Sequence, residues 1–202
     1  MIFLTKHYQG FKPIILLALI APSLFWIFQF FNGKLGVNPI EKLMDKMGLM
    51  ALRVIILTLI ISMLADIKSF KSIVILRRMI GLIAFYYVCL HFLTYIILDH
   101  FFDIKFILKD IAKRPFITFG FISFICLMPL AITSNKFSIK KLGYKIWKRI
   151  HFLIYPAAIL SSLHFYMLVR ANKTEPFIYI MIVCCLLLYR IFKRIIFPYL
   201  VR

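Results

Sequence analysis

The chain has 202 residues, of which 63% are hydrophobic and 17% aromatic, with a mean hydropathy of +0.96 and a formal net charge of +19. A soluble domain of this size carries about half apolar residues and more charge, so the excess requires lipid to cover it and a water-soluble globule is excluded. The positive charge does not mark a nucleic-acid binder, because the Lys and Arg residues stand in short tracts beside apolar runs, with no module that interleaves aromatic and basic residues.

The apolar runs are long enough to cross about 30 Å of hydrocarbon at about 1.5 Å per helical residue. Helices are the spanning element, since a barrel would show short alternating segments instead. In chain order the runs predict transmembrane helices near residues 12–31, 48–66, 79–98, 116–134, 150–169 and 176–196. The first follows Lys6 and Lys12, continues through Trp26 to Phe31 and lacks a small-residue cleavage site, so it is read as an uncleaved helix rather than a signal peptide. Asn32-Gly33 and Asn38-Pro39 mark the loop after it, Arg114-Pro115 opens the fourth helix, and Thr133-Ser134-Asn135 closes it. With short connections and no internal repeat, the expectation is an all-α, polytopic membrane helix bundle of about six transmembrane helices, one transmembrane domain over residues 1–202. The cysteines Cys89, Cys126, Cys184 and Cys185 lie in apolar spans and form no CxxC or CxxCH pattern, which supports neither a disulfide scaffold nor covalently attached haem.

Orientation follows from the basic residues. With the N-terminus inside, the inner segments hold 16 Lys and Arg and the outer ones nine, and the segment from Lys136 to Arg149 alone carries six. Basic residues gather on the cytoplasmic side, so both termini are predicted to be cytoplasmic, with the excess charge beside anionic lipid.

Ionisable groups inside a membrane point to function. His7 and His100 fall at edges or in loops, whereas His91 lies in the outer half of the third helix. The fifth helix carries His151 near its inner end and His164 in its outer half. His91 is 14 residues past Arg77, and His164 is 13 past His151, so His91 and His164 share one depth, and His151 shares another with Arg77 and Arg78. The two levels stand roughly 20 Å apart along the helix axis. Arg77 and His91 face the same way to within about 40°, whereas His151 and His164 differ by about 140° on a straight helix; Pro156, between them, is placed to bend it. Two facing imidazoles at one level can take both axial positions of a haem. They can also bridge helices by hydrogen bonds or relay protons, but imidazole ligates iron well and bis-histidine haem between helices is a common electron-carrier design, which favours haem. Arg77 and Arg78 read either as positive-inside anchors or as a binding fork for haem propionates or a flavin phosphate.

Several stretches together carry a family resemblance: Arg77-Arg78-Met79-Ile80-Gly81-Leu82 leading to Leu90-His91 and Tyr95; Arg114-Pro115-Phe116-Ile117-Thr118-Phe119-Gly120; and Leu142-Gly143 with Trp147, His151 and Tyr155. With Asn32-Gly33-Lys34-Leu35-Gly36, Asn38-Pro39 and Ala51-Leu52-Arg53, they cover nearly the whole chain. The sequence resembles the MsrQ (YedZ) family, haem-binding membrane subunits of bacterial methionine sulfoxide reductase systems within the ferric-reductase-like transmembrane group. The resemblance implies haem b, with FMN, in the bacterial inner membrane. It also implies electron delivery from the quinone pool or a cytosolic flavin reductase to a periplasmic molybdopterin-containing methionine sulfoxide reductase that repairs oxidised proteins. In the wider group two helices each carry two histidines 13 or 14 residues apart; here Arg77 stands where the inner histidine of the third helix would be, which leaves His151 as a half-site for haem or flavin. Met63 stands where the family has proline, and no function attaches to it. The chain carries no nicotinamide- and flavin-binding module of the kind fused to many ferric reductases, so its electrons are expected from a separate donor.

The expected function is thus an electron conduit, an electron-transfer subunit rather than a catalytic one. His91, His164 and His151 are candidate metal ligands, and Arg77 and Arg78 further candidate cofactor-binding residues. The outer loops, with Asp99, Asp103, Lys105, Lys109 and Asp110, supply the expected docking surface. A free-standing ferric or quinone reductase and a proton-coupled transporter with a histidine relay are the rival readings. The transporter lacks support from interrupted helix pairs or acidic residues deep in a span.

Overall fold

A computed structural model describes residues 2–193. Six of its helical segments are long and apolar enough to cross a membrane, Gly10–Phe31, Pro39–Leu64, Phe70–Asp99, Pro115–Ile132, Lys136–Leu168 and Thr174–Ile191, and no strand occurs among the described residues. All six predicted spans are present. Arg194 and Arg202 of the basic-residue count, the end of the sixth predicted span and the His7 side chain lie outside what is described.

Helix α1 (Ile2–Phe31) stops because Gly33 takes a positive φ of 65°. The amides of Gly33 and Lys34 then reach back to the carbonyls of Phe30 and Gln29, closing the helix end with paired hydrogen bonds. Helix α2 (Pro39–Leu64) starts at Asn38, whose side chain accepts from the Glu41 amide and donates to the Glu41 carboxylate at 2.6 Å, with Pro39 in the first turn where no amide is needed. Buried residues run along most of α2, from Leu43 and Met47 to Ile61 and Ser62, making it the most enclosed helix.

A 3-10 turn, Lys68–Ile73, leads into α3 (Val74–Leu93), which ends in a wider π turn, Thr94–Asp99. The chain then passes through Phe101 and Phe102, with φ of 45° and 61°, into the short α4 (Ile104–Lys113), capped by the Asp103 carboxylate on the Phe106 amide. Helix α5 (Pro115–Ile132) crosses back, and Asn135 caps α6 (Lys136–Ile150). Helices α7 (Ile154–Leu168) and α8 (Thr174–Ile191) complete the bundle.

Three features differ from the sequence expectation. The segments around 104–113 and 136–150 are helices, not loops; both are amphipathic and basic, so they leave no trace in a search for apolar runs. Gly143, at φ 75° and ψ 151°, breaks α6 in two. The fifth span changes to a 3-10 turn at His151–Leu153, and Pro156, expected to bend it, sits in the first turn of α7, where a missing amide leaves no helical bond unmade.

Four helices form the centre. α2 packs on α3 and α5 on α7, and the contacts α3 with α5 and α2 with α7 close the ring; α1 lies against α2 and α3, and α8 against α2 and α7. Small residues let α5 and α7 approach: Ala157 and Ala158 are fully buried, and the Ser123 hydroxyl donates to the Ala157 carbonyl at 2.9 Å. Helix α1 is tied to α3 by Tyr87, whose hydroxyl donates to the Leu19 carbonyl at 2.6 Å, and by Tyr86 against Ser23 at 3.0 Å. Outward, Leu17, Leu24, Phe25 and Phe28 of α1 and Phe177, Ile178 and Met181 of α8 are exposed, the apolar belt that lipid covers.

Ala158→Leu places a larger side chain where α7 has no free volume. Its thermal midpoint in detergent should fall, overpacking of this kind costing roughly 1–3 kcal/mol, whereas Leu17→Ala on the lipid face should leave the midpoint unchanged. Equal midpoints for the two variants would contradict the close α5–α7 approach.

Candidate functional site

His91 leaves α3 and His164 leaves α7 toward the middle of the central ring. Their ring centroids are 6.1 Å apart and the planes are inclined at 75°. The Nδ1 of His91 lies 2.9 Å from the Met44 carbonyl on α2, and that of His164 lies 2.6 Å from the Phe116 carbonyl on α5. A carbonyl only accepts, so each Nδ1 carries the proton and donates it, leaving each Nε2 with a free lone pair. Two imidazoles that share one metal ion at about 2 Å per nitrogen have centroids roughly 6 Å apart, and the second-nitrogen hydrogen bond is the usual companion of a metal-bound histidine. The pair therefore fits the axial positions of a haem. Aromatic rings close the α3–α5 side: Phe85 and Phe124 stack at 6.0 Å, and Phe92 meets Phe124 at 4.7 Å and Phe121 at 6.0 Å.

At the other level Arg77, Arg78 and His151 line one cavity of about 650 Å³, together with Trp147, Tyr155 and Arg190. The His151 Nδ1 donates to the Trp147 carbonyl at 3.0 Å, and the Trp147 ring packs on the imidazole at 4.0 Å between centroids. The indole N–H in turn donates to the Thr133 carbonyl at 3.0 Å, tying α6 to the end of α5. Arg190 donates to the Tyr155 hydroxyl at 3.1 Å and pairs with Asp66 at 3.5 Å; Lys193 holds the same carboxylate at 2.6 Å. Asp66 therefore joins the C-terminal ends of α2 and α8, and the cavity keeps an excess of guanidinium groups suited to an anionic ligand.

The five sequence-predicted residues thus fall into two groups, His91 with His164 and His151 with Arg77 and Arg78. Arg190, which the sequence marks only as a topology anchor, belongs to this group as well; its place inside the last apolar run, six residues before the run's end, was the available signal. The Met44 and Phe116 carbonyls carry no mark in a sequence. The outer-loop expectation needs correction. Asp110 is buried, accepting from the Tyr95 hydroxyl at 3.0 Å and paired with Arg114 at 2.8 Å, and Asp103 is engaged as the α4 cap. Of the named residues only Asp110 is buried; Asp99, Asp103, Lys105 and Lys109 are exposed.

The family model described as the ferric reductase like transmembrane component matches residues 47–162, which contain His91 and His151. Among curated proteins, the chain is 40% identical to the protein-methionine-sulfoxide reductase heme-binding subunit MsrQ of Azospira oryzae, over 94% of this chain and 82% of that protein. It is 42% identical to the proteins of the same name from Brucella ovis and Brucella suis, over 89% of this chain and 79% of each. With the six membrane spans, this similarity along most of the chain means that it belongs to the MsrQ family of ferric-reductase-like transmembrane proteins.

Proposed function

We propose that this chain is the haem-bearing membrane subunit of a methionine sulfoxide reductase system in the bacterial inner membrane, with both termini in the cytoplasm. Electrons arrive at the inner face from the quinone pool or a cytosolic flavin reductase and leave at the outer face to a periplasmic, molybdopterin-containing reductase subunit. The observation that carries this reading is the facing of His91 and His164 at 6.1 Å with both Nε2 atoms free. The names of the relatives support haem and the association with methionine sulfoxide reductase, and the basic inner segments support the orientation.

Haem b supplies one-electron carriage within the bilayer, and FMN, if it is the inner group, supplies exchange between two-electron and one-electron partners. The residues do the rest. His91 and His164 offer Nε2, and the Met44 and Phe116 carbonyls hold their tautomers and raise their basicity. The phenylalanines between α3 and α5 keep water from that side. Arg77, Arg78 and Arg190 hold the anionic part of the inner ligand, either the FMN phosphate or the propionates of a second haem for which His151 is the single protein ligand. Because both outer Nδ1 atoms are committed to helix carbonyls, neither imidazole passes a proton from one nitrogen to the other, which counts against a relay-type carrier.

The visible spectrum of the protein in mild detergent, recorded before and after dithionite, tests the reading directly. A low-spin b-type signal is expected; a preparation that stays colourless after haem supplementation overturns it. His91→Ala and His164→Ala should each abolish that signal and His151→Ala should spare it, whereas equal loss in all three would refute the separation into two levels.

Flavin fluorescence titration addresses the inner cavity. Arg77→Ala and Arg190→Ala should each weaken FMN binding by about tenfold, the loss of one charge-assisted hydrogen bond. Unaltered affinity would remove FMN from the cavity, and a high-spin haem lost in His151→Ala would put the second haem there. For the orientation, alkaline phosphatase fused after Arg202 should be inactive and fused next to Lys113 active; the reverse pattern would invert the topology.

A further inference from the structure

Each axial imidazole lies against a glycine on the neighbouring helix. A Cβ on Gly48 of α2 would stand 2.9 Å from both Cε1 and Nδ1 of His91, and a Cβ on Gly120 of α5 would stand 2.9 Å from Nδ1 and 3.1 Å from Cε1 of His164. Both distances lie below ordinary van der Waals contact, so any side chain at either position would displace the ring. The spacing repeats as well. Met44 precedes Gly48 by four residues, Phe116 precedes Gly120 by four, and these are the residues whose carbonyls accept the two Nδ1 protons.

The repeat has a geometric cause. In an α-helix the carbonyl of residue i points along the axis toward the amide of residue i+4. A ring entering from the side to share that carbonyl must pass the Cβ of residue i+4. Glycine there opens the path, so carbonyl and glycine form one seat, built once in α2 for His91 and once in α5 for His164. By contrast, a Cβ on Gly10 would meet nothing within 4 Å.

We propose that Gly48 and Gly120 are positioning residues that seat the two axial imidazoles and fix the 75° between their planes, and with it the spin state and redox potential of the haem. The inference rests on the bis-histidine reading above and goes beyond it, since that reading names the ligands but not what sets their angle. An added methyl forces the ring to rotate about its side-chain torsions. That rotation breaks the Nδ1–H···O bond and turns Nε2 away from the axis it shares with the opposite ring.

The test compares wild type, Gly48→Ala, Gly120→Ala and the control Gly10→Ala, each purified as the full chain in detergent, by visible and electron paramagnetic resonance spectroscopy and redox titration. Wild type and Gly10→Ala should show the strongly anisotropic low-spin signal that near-perpendicular imidazole planes give. Gly48→Ala and Gly120→Ala should lose it, either to a high-spin form that free imidazole converts back to low spin or to a low-spin form with altered g-values and potential. Haem affinity should fall by roughly 10–100-fold, as for other losses of ligand support.

Low-spin haem in wild type with unaltered g-values and potential in both glycine variants refutes the seats and leaves the ligands standing. Absence of low-spin haem from wild type removes the ligand reading itself, and the seats with it. Should Gly48→Ala fail to accumulate, His91→Ala in the same chain decides. Recovery of folded protein in the double variant supports a clash with the ring, and continued failure overturns the proposal in favour of a backbone role for Gly48.

Discussion

Hydrocarbon offers no hydrogen-bond partners, so every polar group inside the bundle has to find one within the protein, and the central ring is organised by that requirement. The two imidazoles turn one nitrogen each to a carbonyl of the next helix. Ser123 does the same toward α7, and Tyr87 toward α1. Thr58 and Ser62 bond back to their own helix. Among the described residues, no fully buried side-chain nitrogen or oxygen is left without a partner. Once these needs are met, each imidazole of the pair keeps its Nε2 unengaged, with the two ring centroids 6.1 Å apart.

Most of the charge lies toward the two ends of the bundle; Arg53, midway along α2, donates to the Tyr179 hydroxyl at 2.7 Å and pairs with Glu175 at 3.5 Å. At the outer end the buried Asp110 gathers Tyr95 and Arg114, with His100 at 3.9 Å, beneath the α4 helix. At the end where α2 and α8 finish, Asp66 neutralises part of a guanidinium-rich cavity. An anion entering that cavity meets a surface of opposite sign, and the buried interior beyond it is aromatic and aliphatic, with imidazoles and hydroxyls that are hydrogen-bonded within the protein.

Hydropathy makes the six spans legible, because a lipid-facing helix has to be apolar nearly all round. It cannot reveal α4 or α6, whose Lys105, Lys109, Lys140 and Lys141 interrupt the apolar windows although the backbone is helical. Depth is legible by counting: 14 and 13 residues bring His91 and His164 to one level. Facing is less so, since the 3-10 turn at His151–Leu153 alters the phase that a straight helix would impose between His151 and His164. The supports of the site are the least legible part. Met44 and Phe116 contribute only backbone carbonyls, and Gly48 and Gly120 contribute the lack of a side chain.

Phe101 and Phe102 hold left-handed backbone conformations, with φ of 45° and 61°, at side chains 79% and 59% exposed. For residues with a Cβ this conformation costs roughly 1–2 kcal/mol each. Their rings, at the outer end of the third span, stand where aromatic groups settle at the headgroup boundary. Neither ring is held by the bundle, so nothing packed around them offsets the backbone cost, and the strained turn is a feature of the chain's exit from the third span, ten residues past His91.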